Sequence, residues 1–301
     1  MTMRPPLANL NGELMPLDQV KVSALDRGFL FGDAVYEVLR IYKGKPWLLA
    51  EHWQRLVQSL AAIRIRGVDL DRLKRRMFET ITASGFQEAL AYIQITRGAA
   101  PRSHAFPVSA TPLEFMFVQD YADPYAGKRV AGVAVITHPD LRWQRCDIKS
   151  TNLLGNVLAT QAAAEAGCAE ALLYKPDGTL TEATHSSFFA VIDGILLATP
   201  LGSEILPGIT RAFLEKLAAR IGVPFHEQHL NKDSVTKVSE LFLSGTGAEV
   251  LPVVRVDGQT VGNGNVGPVT MRLYEAYQQA VKEFASARFG SGTCRRFGLC
   301  L

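Results

Sequence analysis

Apolar residues recur at helical spacing from Glu51 onward, where Trp53, Leu56, Val57, Leu60 and Ile63 share one face and predict a helix beginning near that glutamate. A second amphipathic stretch follows at 69–82. Residues 90–96 and 113–119 alternate or run apolar as strands do, and a polar, proline-bracketed loop at 97–112 separates them. Residues 120–128 carry proline, glycine and charge without any period and read as an interdomain linker.

Beyond the linker the pattern predicts strands at 130–137 and 170–174 with a helix at 152–166 between them. A turn at Lys175, Pro176, Asp177 and Gly178 follows, then a hairpin of 188–192 and 195–198 joined by Asp193 and Gly194. Helices at 209–221 and 269–284 enclose strands at 240–243 and 251–256. The succession is α+β with mixed sheets, not a regular βαβ series. It divides into a small N-terminal domain at 1–121, a linker at 122–128 and a larger domain at 129–284. The basic tail at 285–301 has neither period nor core pattern and is expected to be disordered.

Composition narrows the class. With 301 residues, 48% of them hydrophobic and 20% charged, the chain has enough apolar content for a sizeable core. Thirty-two basic against 29 acidic residues leave a net charge of +3, too near balance to demand nucleic acid or an anionic membrane as partner. No apolar run approaches the roughly 18 residues that span a bilayer, and no apolar segment at the start suits a signal peptide, so a cytoplasmic protein is expected. The four cysteines show no zinc spacing and are too sparse for a disulfide framework.

No Walker loop, GxSxG or HExxH motif is present. Lys149 stands among Asp147, Ile148 and small polar residues just before a predicted helix. A lone lysine is ordinarily a solvated charge, but a desolvated one forms a Schiff base with an aldehyde or ketone. Glu182 lies in a run of small hydroxylated residues, where it is either a turn carboxylate or a group that keeps a pyridine nitrogen protonated. The stretch 206–211 and the glycine-rich 244–247 are ordinary turns or places where backbone N–H groups bind an anion.

Taken in order, 26–37 (DRGFLFGDAVYE), 51–55 (EHWQR), 96–104 (TRGAAPRSH), 146–150 (CDIKS), Thr181 with Glu182, 207–211 (PGITR) and 244–249 (SGTGAE) resemble the class IV, or fold type IV, pyridoxal-phosphate aminotransferases. The similarity is greatest to their D-amino acid branch. It implies the α+β two-domain fold of that family, with a smaller N-terminal α/β domain and a larger C-terminal mixed-sheet domain, and pyridoxal 5'-phosphate as cofactor. By the same resemblance Lys149 is the Schiff-base lysine and Glu182 the partner of the pyridine nitrogen. Arg55 grips the phosphate with Ile209, Thr210 and Thr246, and Ser186 lies by the ring. Arg102, His104 and Tyr36 trap the substrate α-carboxylate.

The resemblance further implies a homodimer, with the Arg102 loop contributed by the partner chain, and a reversible exchange of amino groups between D-amino acids such as D-alanine, D-glutamate or D-aspartate and 2-keto acids such as 2-oxoglutarate or pyruvate. His185 and Ser187 depart from the D-amino acid pattern, and 244–248 (SGTGA) is nearer the branched-chain enzymes. A branched-chain L-amino acid or (R)-amine transaminase, an aminodeoxychorismate lyase and a non-catalytic cofactor-binding protein therefore stand as alternatives.

Overall fold

The structure is a computed structural model that describes residues 5–287. The chain divides into two compact units. Among the described residues the first comprises 5–122, 148–152 and 283–287. It contains β1 (Leu7–Leu10), β2 (Glu13–Pro16), α1 (Arg27–Phe31), β3 (Ala34–Tyr42), β4 (Lys45–Pro46), α2 (Leu49–Ala62), α3 (Leu70–Ser84), β5 (Glu88–Thr96) and β6 (Leu113–Asp120). The strands form one antiparallel sheet in the order β2-β1-β6-β5-β3-β4.

The period-two pattern explains that sheet. Ala89, Ala91, Ile93 and Ile95 of β5 are buried, and they pack in one core with Val35, Leu39 and Ile41 of β3 and with Leu56, Leu73 and Met77 of the helices. The alternate residues carry aromatic rings on the other side, where Tyr36 stacks on Tyr92 at 5.6 Å and Tyr92 on Phe117 at 5.1 Å. Asp69 caps α3 by accepting from Arg72 N–H at 2.9 Å, and Gly85 ends the helix in the left-handed region.

The segment Ile148–Asn152 joins this unit from far along the chain. Ser150 bridges Val35, Lys149 C=O accepts from Tyr36 N–H at 3.0 Å, and Ile148 enters the core. Residues 148–152 thus belong with the first unit, whereas the sequence pattern has 129–284 as one continuous domain. The pairing that captures them is long-range and leaves no local trace.

The second unit comprises Asp123–Asp147 and Leu153–Lys282. It contains α4 (Ala126–Ala131), β7 (Val133–Pro139), α5 (Leu154–Glu165), β8 (Ala171–Tyr174), β9 (Leu180–Ala183), β10 (Ser187–Ile192), β11 (Ile195–Ala198), α6 (Ile209–Arg220), β12 (Phe225–Glu227), β13 (Glu240–Gly245), β14 (Glu249–Val256), β15 (Gln259–Thr260) and the start of α7 (Pro268–Ser286). Its sheet runs β12-β11-β10-β13-β14-β7-β8-β9, with β15 on β14, and mixes parallel and antiparallel pairs. The buried apolar run Leu241–Leu243 of β13 lies between the polar Glu240 and Ser244, whereas β9, buried throughout, sets Thr181 and Glu182 between Leu180 and Ala183.

Two expectations are corrected. The linker at 122–128 runs into a short helix, α4, because Asp123 accepts from Tyr125 N–H at 2.9 Å and nucleates the turn, while Gly132 at φ 74° ends it. At the other end, 285 and 286 belong to α7, whose last turn sets Phe284 edge-on to Trp47 at 4.9 Å. The expectation of a disordered tail otherwise concerns 288–301, which lie outside the described residues.

Candidate active site

The first unit presents Lys149 beside β3. Pairing of Ile148–Asn152 with the start of that strand sets the lysine Nζ 4.3 Å from the centroid of the Tyr36 ring. Its main chain is pinned on both sides, by Tyr36 N–H on its carbonyl and by its own N–H to Ser59 Oγ at 3.3 Å. Lys149 and Tyr36, expected together from the sequence, are together.

Arg55 lies on the inner face of α2, where it donates to Glu37 through Nε at 2.7 Å and through an NH2 group at 2.8 Å. His52 Nδ1 is 2.7 Å from the same carboxylate. All three are buried. Burial works to raise the Glu37 carboxyl, but the Arg55 guanidinium and then His52 overcome it and bring it down to about 2. Burial lowers the His52 imidazole below its usual value against the pull of Glu37. Sequence reasoning missed Glu37 and His52. A signal was there, since Glu37 falls in phase with the core positions Val35, Leu39 and Ile41.

Arg102 and His104 sit on the loop between β5 and β6, and both are exposed. Their ring contacts are with Phe31, with the Arg102 Cζ 5.3 Å and the His104 ring 5.5 Å from its centroid. No contact joins them to Tyr36 among the described residues of this chain. The expected three-residue trap is therefore not assembled within one chain.

In the second unit Glu182 lies on the buried strand β9. Arg142 NH1 donates to one of its oxygens and Leu206 N–H to the other at 3.2 Å. Arg142 is itself forked onto Asp140 at 2.9 and 2.7 Å, and Thr181 Oγ1 completes Asp140 at 2.7 Å. Burial holds the Glu182 carboxyl above the ordinary range, with Arg142 opposing it. A carboxylate so placed is a strong acceptor for a proton shared with a ring nitrogen.

Ser186, Ile209, Thr210 and Thr246 also fall in the second unit, Ser186 in the turn before β10, Ile209 and Thr210 in the first turn of α6 and Thr246 in the turn after β13. Helix α6 begins at Gly208 with no side-chain cap, so its first N–H groups lack a side-chain acceptor. A Cβ at Gly208 would meet Ser187 Oγ at 2.8 Å, and one at Gly245 would meet Ser186 Oγ at 3.3 Å, which brings this helix start, the β9–β10 turn and the β13–β14 turn close together. Ser186 Oγ donates to the buried Glu170 at 2.6 Å. Ser244 Oγ is buried and has no hydrogen-bond partner among the described residues. A phosphate ester suits this set of amides and hydroxyls. Taken unit by unit, the residues fit pyridoxal phosphate: the first has a backbone-pinned primary amine, and the second a buried carboxylate and a set of amides and hydroxyls suited to a phosphate.

Residues 34–256, from the start of β3 to the end of β14, match the family described as amino-transferase class IV. The chain belongs to the class IV aminotransferases. Among relatives of this class IV aminotransferase, the D-alanine aminotransferase of Staphylococcus haemolyticus is 38% identical over 92% of this chain and 98% of its own. That of Bacillus licheniformis is 39% identical over 90% and 95%. The branched-chain amino acid aminotransferase of Escherichia coli superposes with a TM-score of 0.88 at 26% identity, covering 95% of this chain and 98% of its own. A second branched-chain amino acid aminotransferase, that of T.th., solved with pyridoxamine 5'-phosphate, superposes at 0.86 and 27% identity, over 93% and 95%.

Proposed function

We propose that this class IV aminotransferase moves amino groups reversibly between D-amino acids, D-alanine foremost, and 2-keto acids such as 2-oxoglutarate or pyruvate. The observation that carries the reading is the placement of Lys149, a backbone-pinned lysine whose amine rests on the Tyr36 ring. Near full-length similarity to D-alanine aminotransferases supports the choice of substrate over the branched-chain alternative, which has the structural likeness at lower identity.

Pyridoxal phosphate, when bound, supplies an aldehyde carbon that carries the amino group and a ring that accepts the electron pair released at the substrate Cα. Lys149 Nζ takes and returns the proton at that Cα, with Tyr36 orienting the amine. Glu182 keeps a proton on the ring nitrogen, and the Arg142–Asp140 pair fixes the angle of its carboxylate. The α6 N-terminus, Thr246 and Arg55 hold the phosphate, with Glu37 fixing the Arg55 fork, and Ser186 steadies the ring. Arg102 and His104 bind the α-carboxylate, the arginine by a two-point fork.

Exposure of the Arg102 loop supports a homodimer in which each chain lends this loop to the other's substrate. The stacked aromatic face of Tyr92 and Phe117 supports the same reading. We place the enzyme in the cytoplasm. Both cysteines among the described residues are free, and no described helix is long and apolar enough to cross a membrane.

The test is keto-acid formation from D- and from L-amino acids with 2-oxoglutarate as acceptor. Turnover of D-alanine is the expected result. Turnover of L-leucine alone would make it a branched-chain enzyme, and pyruvate released with no acceptor present would make it a lyase.

A further inference from the structure

The conspicuous sequence at 26–37 contributes Tyr36 to the proposed site, while Arg27, Phe31 and Asp33 have no part in the chemistry so far. Their surroundings assign them one. Asp33 is gripped by two arginines, with Arg27 Nε at 2.8 Å and Arg97 Nε at 2.7 Å on the same oxygen and an Arg97 NH2 group at 2.9 Å on the other. Both arginines are buried. From that anchor Arg27 reaches the loop between β5 and β6 and donates to three successive carbonyls, Ser103 at 2.6 Å, Ala105 at 3.3 Å and His104 at 3.4 Å. Arg97 holds the next residue, with its Cζ 3.7 Å from the centroid of the Phe106 ring. Phe31 meanwhile supports the Arg102 and His104 side chains.

We propose that the Arg27–Asp33–Arg97 cluster is a clamp that positions the Arg102 and His104 side chains for the substrate carboxylate, so that Arg27 and Phe106 are positioning residues for substrate affinity. The inference rests on the reading of Arg102 and His104 as carboxylate ligands. The loop joining β5 to β6 is long, exposed over 101–106 and without regular structure beyond a single bridge at Ala99, and such a segment loses precision unless something fixes its backbone. Arg27 does so at the carbonyls flanking His104 and at His104 itself. An arginine is needed because only its fork serves one carboxylate and several carbonyls at once. The lowered pKa of Asp33, which its two guanidinium partners bring about against burial, keeps the anchor charged.

The experiment compares the holoenzyme with R27M, F106A, R102M and the R27M/R102M pair. Two amines are used as donors: D-alanine, and isopropylamine, which has a methyl in place of the carboxylate. F106A removes a partly exposed ring that covers Arg97 but deletes no charge from the cluster, so it remains informative if R27M folds poorly. The clamp predicts that R27M and F106A raise the KM for D-alanine by about 10- to 100-fold with kcat little changed, and leave isopropylamine kinetics unaltered. It also predicts that R27M adds less than about twofold in the R102M background, because both act through one contact. Amide hydrogen exchange across 99–112 is faster in R27M and F106A. R27K, which keeps the charge without the fork, recovers only part of the affinity.

If R102M itself leaves the D-alanine KM unchanged, the carboxylate reading falls and the clamp's role falls with it. If R102M raises that KM but R27M and F106A do not, or R27M adds its full effect on top of R102M, or the variants impair both amines equally, Arg102 keeps its assignment and the clamp alone is overturned.

Discussion

At the scale of single residues the site separates into groups that react and groups that hold them. On the proposed mechanism Lys149→Ala removes the amine that moves the substrate proton and should lower turnover at least a thousandfold, roughly the upper part of the range for a lost general base. Absorbance spectra and single-turnover kinetics with D-alanine check this. Glu182→Gln keeps the shape of the side chain but removes its charge, and kcat should fall by about 100-fold or more while KM moves little. Glu37 belongs to the second group. Glu37→Gln leaves the Arg55 guanidinium buried without its counter-ion, and urea unfolding should show a loss of about 3–5 kcal/mol.

At the scale of elements, turns decide how the Arg102 loop is held. Gly98, two residues past β5, has φ +96°, and a Cβ there would lie 2.0 Å from the Thr111 carbonyl oxygen. Gly98→Ala should therefore cost about 1–3 kcal/mol by denaturant titration and weaken D-alanine binding along with it. Elements of this kind were unevenly legible in the sequence. Helices α2 and α3 and strands β5 and β6 announce themselves because each repeats its apolar spacing over eight residues or more. The four-residue strands β1, β2 and β9 are too short to establish a period, and α4 lies in a stretch whose proline and glycine read as a linker.

The site follows the same rule. Lys149, Glu182 and Arg55 are named by the family resemblance of the short segments that carry them, whereas their partners Glu37, His52, Asp140 and Arg142 are joined to them by contacts between distant positions. Glu37 meets Arg55 across 18 residues and Arg142 meets Glu182 across 40. No window of sequence spans such a pair.

At the scale of the whole molecule, buried ionisable groups predict how stability changes with pH. The native Glu37 carboxyl is lowered from its ordinary 4.5 to about 2, so its contribution is complete above 4.5 and is lost as pH falls toward 2. His52, lowered from 6.5, adds to that loss, because below 6.5 the unfolded chain binds a proton the fold resists. On the alkaline side burial raises the Cys146 thiol from 9.0 to about 12, so ionisation of the unfolded chain erodes stability from pH 9 upward. Thermal melts should show a plateau between about pH 6.5 and 9. His52→Gln should flatten the decline that begins near 6.5 without moving the alkaline edge.

The return of five residues, Ile148–Asn152, to the first unit means that the polypeptide is threaded, and no single cleavage of the gene can divide it at a natural seam. An N-terminal fragment ending at Ala122 would lack the neighbour that Val35 finds in Ser150 and would carry no reactive amine. A short synthetic peptide bearing that stretch should dock on the fragment in trans, where its binding can be titrated.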